Sequence, residues 1–161
     1  MSNRPKRVLA VASGGGHWVQ LCRLRPAWDD CAVTYVTTDP GYLDGVIAAA
    51  AERGQSRPGF YVVQEANRKQ KLKVVKALLQ VTMIILRVWP DVIITTGAAP
   101  GGVAIYIGSL FRRRTVWVDS IANAEELSMS GKRAEPYADL WLTQWEHVAT
   151  PDGPEYHGSV I

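Results

Sequence analysis

Short apolar segments rich in β-branched residues alternate along this chain with longer segments of helical periodicity. The short segments predict strands at residues 7–13, 32–38, 59–64, 91–96, 115–119 and 139–143. The segments between them predict helices at residues 17–24, 42–53, 69–89 and 101–111. This alternation is typical of βαβ units, whose right-handed crossovers build a parallel sheet. The predicted fold class is therefore α/β, with one Rossmann-like, doubly wound domain over residues 1–161.

The composition is that of an ordinary globular domain. Of the 161 residues, 47% are hydrophobic and 20% charged, which excludes a disordered chain and a coiled coil. The longest uncharged apolar stretch, residues 77–86, is far shorter than the roughly 20 residues that span a bilayer. Cys22 and Cys31 have neither CxxC nor metal-ligand spacing. We therefore expect a cytoplasmic protein with no metal site and no cofactor.

Positive charge is concentrated in the first part of the chain. Residues 1–114 carry 16 Lys/Arg and 7 Asp/Glu, whereas residues 115–161 carry 2 and 8. The densest basic segment contains Arg68, Lys69, Lys71, Lys73 and Lys76. It leads into the apolar stretch, and such a pairing can lie in a membrane interface. These five residues are predicted to face a membrane; the alternative is a crossover helix with one solvated end. Nucleic acid is not an expected partner, because no binding module accompanies the charges.

A glycine-rich turn follows the first predicted strand and opens a helix. It comprises Ser13, Gly14, Gly15, Gly16 and His17. Such a turn lets the backbone approach a ligand, and a helix start presents free N–H groups to an anion. The turn lacks the Gly-Lys-Ser/Thr of a P-loop, and Val19 occupies the third glycine position of a dinucleotide fingerprint. Asp39, after the second strand, could act as the ribose-binding acid and leaves the dinucleotide interpretation open. An ordinary strand-to-helix turn is the other alternative.

A second glycine-rich turn follows the fourth predicted strand. It comprises Thr96, Gly97, Ala98, Pro100, Gly101 and Gly102. Pro100 suits a first helical turn, where its missing N–H costs nothing. In a sheet of order 3-2-1-4-5 the first and fourth strands are neighbours at the topological switch point. We therefore expect both turns to face one crevice. His17 is the histidine placed there, and a neutral imidazole can accept a proton from a hydroxyl; binding phosphate without catalysis is the alternative.

Polar residues also end the fifth predicted strand. Asp119 and Ser120 are expected to point toward the same crevice, where they bind a sugar or its phosphate, or else cap the next segment. A catalytic triad or nucleophile elbow is not evident in the sequence.

These motifs together resemble a known group of proteins. The first turn resembles the glycine-rich loop of GT-B glycosyltransferases such as MurG, and residues 96–101 resemble their later acceptor-side loop. The chain is most similar to PssD-type exopolysaccharide proteins, which are related to the membrane-bound subunit of the split GlcNAc transferase of dolichol-linked glycan synthesis. Residues 118–120, 127–132, 137–139 and 144–145 add to the match. The sequence departs from the family where a Glu-Ser…Arg pattern is usual, since it has Asp119-Ser120 followed by Asn123-Ala124.

The resemblance implies the acceptor-side half of a GT-B enzyme, with a PssE-type chain supplying the other half. It further implies a UDP-sugar as donor and a polyprenyl-diphosphate-linked sugar as acceptor, with His17 as general base and the glycine turns holding acceptor phosphate. We expect an inverting transferase subunit, attached peripherally to the cytoplasmic face of the membrane. Two alternatives are a non-catalytic membrane scaffold for the catalytic partner and a stand-alone Rossmann nucleotide-binding enzyme.

Overall fold

A computed structural model describes residues 4–65 and 70–160. Its centre is a parallel sheet of order β3-β2-β1-β4-β5-β6-β7. The strands are β1 (Arg7–Val11), β2 (Ala32–Thr37), β3 (Gly59–Val62), β4 (Val92–Thr95), β5 (Arg114–Val118), β6 (Leu140–Thr143) and β7 (Glu155–Tyr156). The predicted α/β class and the predicted order of the first five strands are confirmed. All carboxyl ends of the strands consequently lie along one edge of the sheet.

Helices cover both faces of this sheet. They are α1 (Gly16–Arg23), α2 (Leu43–Glu52), α3 (Lys71–Val88), α4 (Ala98–Leu110) and α5 (Met129–Ala134). One core contains Trp18 and Leu21 of α1 and Val46 of α2. The other core contains residues of α3, α4 and α5, which therefore lie on the opposite face. This two-sided arrangement is the doubly wound architecture that the sequence predicts.

The central strands are apolar because both of their faces are covered. Leu9, Ala10 and Val11 of β1 and Ile93 of β4 are fully buried. Alternate residues enter the two cores: Leu9 and Val11 pack with α3 and α4, whereas Val8 and Ala10 pack with α1 and α2. Near-continuous apolar runs of this kind are expected of parallel strands between two helix layers.

Glycines bring α4 close to the sheet. A Cβ on Gly101 would lie 2.0 Å from the hydroxyl oxygen of Thr95, and one on Gly108 would lie 2.5 Å from the side chain of Ile93. These contacts leave no room for a larger residue. They also fix how the start of α4, with its preceding turn, sits above the end of β4.

A carboxylate ties the amino-terminal segment to the bottom of the sheet. Asp91 accepts two hydrogen bonds from Arg4, at 2.8 and 3.0 Å, and one from the backbone N–H of Arg7 at 2.9 Å. These donors, with Arg4 as the largest contributor, lower the pKa of the Asp91 carboxyl. The interaction is therefore strongest where Asp91 is ionised.

Three elements differ from the prediction. Helix α4 begins at Ala98 rather than residue 101, so Pro100 lies within its first turn. The six-residue α5 and the two-residue β7 were not predicted, because elements this short have no resolvable periodicity. Helix α5 is instead started by the Ser128 hydroxyl, which accepts a hydrogen bond from the backbone N–H of Gly131 at 2.8 Å.

Candidate functional site

The two glycine-rich turns meet at the carboxyl edge of the sheet, as predicted. The first turn joins β1 to α1 and the second joins β4 to α4. Since β1 and β4 pair directly, the starts of α1 and α4 lie side by side. Two reciprocal hydrogen bonds link the turns: the Thr96 hydroxyl donates to the His17 carbonyl at 2.7 Å, and the His17 ring contacts the Thr96 carbonyl.

The link to Thr96 fixes the tautomer of His17. Nδ1 of the ring lies 2.7 Å from the Thr96 carbonyl oxygen. A carbonyl oxygen only accepts, so Nδ1 carries the proton and donates it. In the neutral ring Nε2 then has a free lone pair, which is the form that a general base requires. The half-buried imidazole is thus held by the backbone of the second turn through Nδ1, and Nε2 has no hydrogen-bond partner in the part of the chain that the structure describes.

The first turn uses part of its own backbone to hold its shape. The N–H of Gly14 donates to the Thr38 hydroxyl at 3.2 Å, and that of Gly15 donates to the Tyr42 hydroxyl at 3.0 Å. Ser13 donates within the turn, to the Gly14 carbonyl. Gly15 has φ of 70°, which favours glycine. The amides of Gly14 and Gly15 are therefore already paired, whereas those of Gly16 and His17 have no acceptor within the described ranges.

The second turn is conformationally strained. Gly97 has φ 117° and ψ −158°, a combination that is essentially restricted to glycine, and Ala98 follows with φ of 63°. The N–H of Gly97 donates to the Thr95 hydroxyl at 3.0 Å. Those of Ala98 and Ala99 have no acceptor in residues 4–65 or 70–160 and lie at the exposed start of α4. Strain of this kind is concentrated at binding sites.

The remaining residues of the second turn have other roles. Thr96 and Pro100 are buried, and Gly101 packs against Thr95 in the core, so Gly101 does not line the crevice. Gly102 is half-buried, and a Cβ there would meet nothing within 4 Å. Gly97 instead contacts the catalytic candidate, because a Cβ on it would lie 3.0 Å from Cε1 of His17. The turn thus needs glycine at residue 97 to accommodate the imidazole.

The side chains of Asp119 and Ser120 are hydrogen-bonded to other residues of the chain. This favours the capping interpretation over sugar binding. Asp119 is 2% exposed and accepts four hydrogen bonds, from Trp117, Asn123 and both the N–H and the hydroxyl of Ser128. All of its acceptor positions are therefore occupied. Ser120 is also buried and accepts from the side chain of Gln20 at 3.1 Å. These residues organise the loop that leads to α5.

Two buried glutamines complete this network, and the sequence reasoning missed their connection. Gln20 Oε1 accepts from the Ile121 N–H at 3.0 Å and from Gln144 Nε2 at 2.7 Å. Gln144 also donates to the Asp119 carbonyl and accepts from the Val160 N–H at 2.9 Å. The detectable signal was Gln20 itself, a polar residue on the apolar face of α1 one turn after His17. The network joins α1 to the ends of β5 and β6.

Asp39 has a local structural role. Its Oδ1 accepts from the Gly41 N–H at 2.8 Å and caps the short helical turn that precedes α2. This local role accounts for the residue and weakens the dinucleotide interpretation. Across the described part of the chain, no group of three or more His, Cys, Asp or Glu residues has the geometry to hold a metal ion.

Helix α3 presents an apolar stripe to solvent on the side away from the sheet. Its members are spaced three or four residues apart and are 48–87% exposed: Leu72, Val75, Leu79, Met83 and Leu86. The predicted membrane-facing residues Lys71, Lys73 and Lys76 are exposed on the same helix. Arg68 and Lys69 lie outside the described residues. No helix within the described ranges combines the length and hydrophobicity needed to cross a membrane.

The fold matches that of known nucleotide-sugar enzymes. MurG from Acinetobacter baumannii superposes with a TM-score of 0.73 at 12% identity, covering 98% of this chain and 46% of that one. A UDP-N-acetylglucosamine 2-epimerase from Rickettsia bellii superposes with a TM-score of 0.65 at 14% identity, covering 89% of this chain and 40% of that one. These likenesses define the class as an α/β Rossmann-like domain of the kind that forms one half of MurG.

Sequence comparison identifies the family. Residues 58–160 match the family "Oligosaccharide biosynthesis protein Alg14 like", and the chain belongs to it. A relative from Eremothecium gossypii, named UDP-N-acetylglucosamine transferase subunit ALG14, is 28% identical over 90% of this chain and 75% of its own length. A relative of the same name from Yarrowia lipolytica is 33% identical over 45% of this chain and 37% of its own length. The family is thus one of glycosyltransferase subunits.

Proposed function

We propose that this chain is the acceptor-binding and base-supplying subunit of a two-chain, inverting glycosyltransferase. The donor is a UDP-sugar, and the names of the relatives point to UDP-N-acetylglucosamine. A PssE-type partner supplies the donor-binding half; the match to 46% of MurG supports this division. The acceptor is a sugar linked to polyprenyl diphosphate, and the product enters polysaccharide synthesis.

The observation that carries the proposal is the His17–Thr96 hydrogen bond. In the neutral imidazole it leaves Nε2 as the proton acceptor, near two helix starts whose first amides have no acceptor among residues 4–65 and 70–160. In the reaction the acceptor hydroxyl oxygen bonds to the anomeric carbon while the bond from that carbon to the UDP oxygen breaks. UDP leaves with the bonding electrons, the hydroxyl proton passes to Nε2, and the configuration at the carbon inverts.

Backbone N–H groups of the two glycine turns hold the acceptor diphosphate in this proposal. The amides proposed to bind it are those of Gly16 and His17 at the start of α1 and those of Ala98 and Ala99 at the start of α4, two helix starts that lie side by side. Each helix start adds a partial positive charge, and together these fixed dipoles favour a diphosphate. Because they are already oriented, little reorganisation accompanies the reaction.

Helix α3 provides peripheral attachment to the cytoplasmic face of the membrane. Its exposed apolar stripe can enter the interface while Lys71, Lys73 and Lys76 meet anionic headgroups. The helix follows β3, so its lysine-rich start lies at the same edge of the sheet as the proposed site. A lipid-linked acceptor would thus approach His17 from the membrane.

Reconstitution tests the two-chain proposal. The chain, its partner and the pair are each incubated with labelled UDP-N-acetylglucosamine and a short polyprenyl-diphosphate sugar. We expect transfer by the pair alone, with UDP released and the β-linked product formed from the α-linked donor. Transfer by the isolated chain would contradict the division of the site and favour a stand-alone enzyme.

Vesicle sedimentation tests the attachment. At about 1 kcal/mol per lysine, the triple substitution of Lys71, Lys73 and Lys76 by glutamine should weaken binding to anionic vesicles by about 100-fold. Binding to uncharged phosphatidylcholine vesicles is the control and should change little. Equal affinity of the wild type and the triple variant for anionic vesicles would refute the role of these lysines.

A non-catalytic scaffold is the second candidate. The contact of the His17 ring with Gly97 and its bond to Thr96 give the histidine a structural role that would be useful without catalysis. In that case the partner supplies the base, and this chain binds only membrane and acceptor. Substitution of His17 separates the two candidates, because the scaffold predicts unchanged turnover once the pair has assembled.

A further inference from the structure

A groove between α4 and α5 opens directly beside the second glycine turn. Its volume is about 350 Å³, and its lining is mainly apolar, with Gly102 and Val103 on one side and Ala134 on the other. Ala98 and Ala99, at the start of α4, also line this groove. A volume of this size is in the range of small-molecule sites. The groove therefore continues from the proposed diphosphate site along the outer surface of the domain.

Two tyrosines and an arginine shape the groove. The rings of Tyr106 and Tyr137 pack edge to face, with centroids 5.0 Å apart, yet each side chain remains about two-fifths exposed. Exposed aromatic surface of this kind is ready to cover an apolar ligand. Arg133 also lines the groove, and within residues 4–65 and 70–160 it forms no ion pair. The site thus combines apolar walls with a cation available to an anionic group.

We propose that this groove binds the first isoprenoid units of the acceptor lipid, with its diphosphate at the Ala98–Ala99 turn. The inference rests on the proposed function and names the part of the acceptor that the chain recognises besides its sugar. The occupant is amphiphilic because the lining is: a helix start and the cationic Arg133 suit an anionic group, and the alanine, valine and tyrosine side chains suit a hydrocarbon. A free nucleotide or a soluble sugar would leave this apolar wall uncovered.

Gly102 offers a clean way to close the groove. A Cβ there meets nothing within 4 Å, so the leucine of Gly102→Leu projects into the groove without displacing the core. Gly45 of α2 is the matched control: it is also a helical glycine with open space around a Cβ, and it lies on the opposite face of the sheet. Gly45→Leu adds the same side chain away from the groove.

Binding of farnesyl diphosphate to the isolated chain, measured by calorimetry, tests the inference without requiring transfer. We expect Gly102→Leu to weaken binding at least about tenfold through lost apolar burial, and Gly45→Leu to leave it unchanged. Inorganic pyrophosphate should bind more weakly than farnesyl diphosphate, and its affinity should be the same for the wild type and both variants. Arg133→Gln should weaken the binding of farnesyl diphosphate more than the binding of farnesol, since only farnesyl diphosphate carries the anionic group.

Two outcomes would overturn the inference. One is equal affinity of the wild type and Gly102→Leu for farnesyl diphosphate. The other is loss of co-purification with the partner in Gly102→Leu while farnesyl diphosphate still binds, which would make the groove a subunit interface. Failure of the proposed function can be told apart from failure of this inference. If only the proposed function is wrong, the isolated chain still binds farnesyl diphosphate but the reconstituted pair transfers no sugar.

Discussion

The turn at Gly97 gives the most specific prediction for stability, through the substitution Gly97→Ala. Its backbone, with φ 117° and ψ −158°, is one that residues with a Cβ essentially do not adopt, and such strain costs about 1–3 kcal/mol. The added methyl group would also lie 3.0 Å from Cε1 and 3.1 Å from Nδ1 of His17. The ring would have to move away from the Thr96 carbonyl and lose a hydrogen bond worth about 1 kcal/mol.

Together these terms give a loss of about 2–4 kcal/mol in the free energy of unfolding. For a domain of this size, 1 kcal/mol corresponds to a change of about 2–4 °C in Tm, so a decrease of about 5–15 °C is expected. Equilibrium denaturation and thermal melting of the isolated chain measure it. Because the substitution moves the imidazole, the transfer rate of the reconstituted pair should fall as well.

Gly102→Ala is the matched control for this prediction. It lies five residues further along the chain, within α4, and its Cβ would meet no neighbour within 4 Å. In a helix interior alanine is favoured over glycine by about 0.5–1 kcal/mol, so this variant should be as stable as the wild type or slightly more stable. Equal stability of Gly97→Ala and Gly102→Ala would refute the argument that residue 97 is restricted by strain and by the His17 ring.

Three further predictions concern the rest of the fold. Asp119→Ala leaves the donors of Ser128 without their buried acceptor and should cost about 3 kcal/mol or more in urea denaturation; a cost below 1 kcal/mol would contradict the network. Gly101→Ala places a Cβ 2.0 Å from the Thr95 hydroxyl oxygen and should cost about 1–3 kcal/mol, whereas an unchanged midpoint would show that α4 can move freely. Asp91 has a lowered pKa when folded, so its stabilisation is present above the usual carboxyl pKa of about 4 and is lost as the pH falls through the folded value. Asp91→Asn should therefore cost about 1 kcal/mol at pH 7 and progressively less in acid, and a cost independent of pH would refute the charge-based explanation.

The sheet was predictable from the sequence because buried parallel strands carry their own signal. The apolar runs around Leu9, Val36 and Ile93 mark strands covered on both faces, and the intervening helical segments determine the crossover topology. The two glycine turns follow strands that pair directly, so their meeting also followed from the predicted order. Local pattern and topology were sufficient for this level of description.

The detailed roles at the site were not predictable, since they depend on partners distant in the chain. The tautomer of His17 is fixed by the carbonyl of Thr96. The carboxylate of Asp119 accepts a hydrogen bond from Ser128, at the far end of a loop. Similarly, the amides of Gly14 and Gly15 are taken by side chains that follow β2. A sequence shows which residues reach one edge of the sheet, but the hydrogen bonds among them appear only in the folded chain.

Single-turnover transfer by His17→Ala in the reconstituted pair is the most direct test of the base assignment. With acceptor saturating, the rate should fall by about 100-fold or more, while partner recovery stays close to that of the wild type. Tm should fall by only the few degrees expected for loss of the hydrogen bond to Thr96. His147→Ala, which removes an exposed histidine near the other end of the chain, should transfer at the normal rate. A wild-type rate in an assembled His17→Ala pair would contradict the assignment and leave this chain as a scaffold.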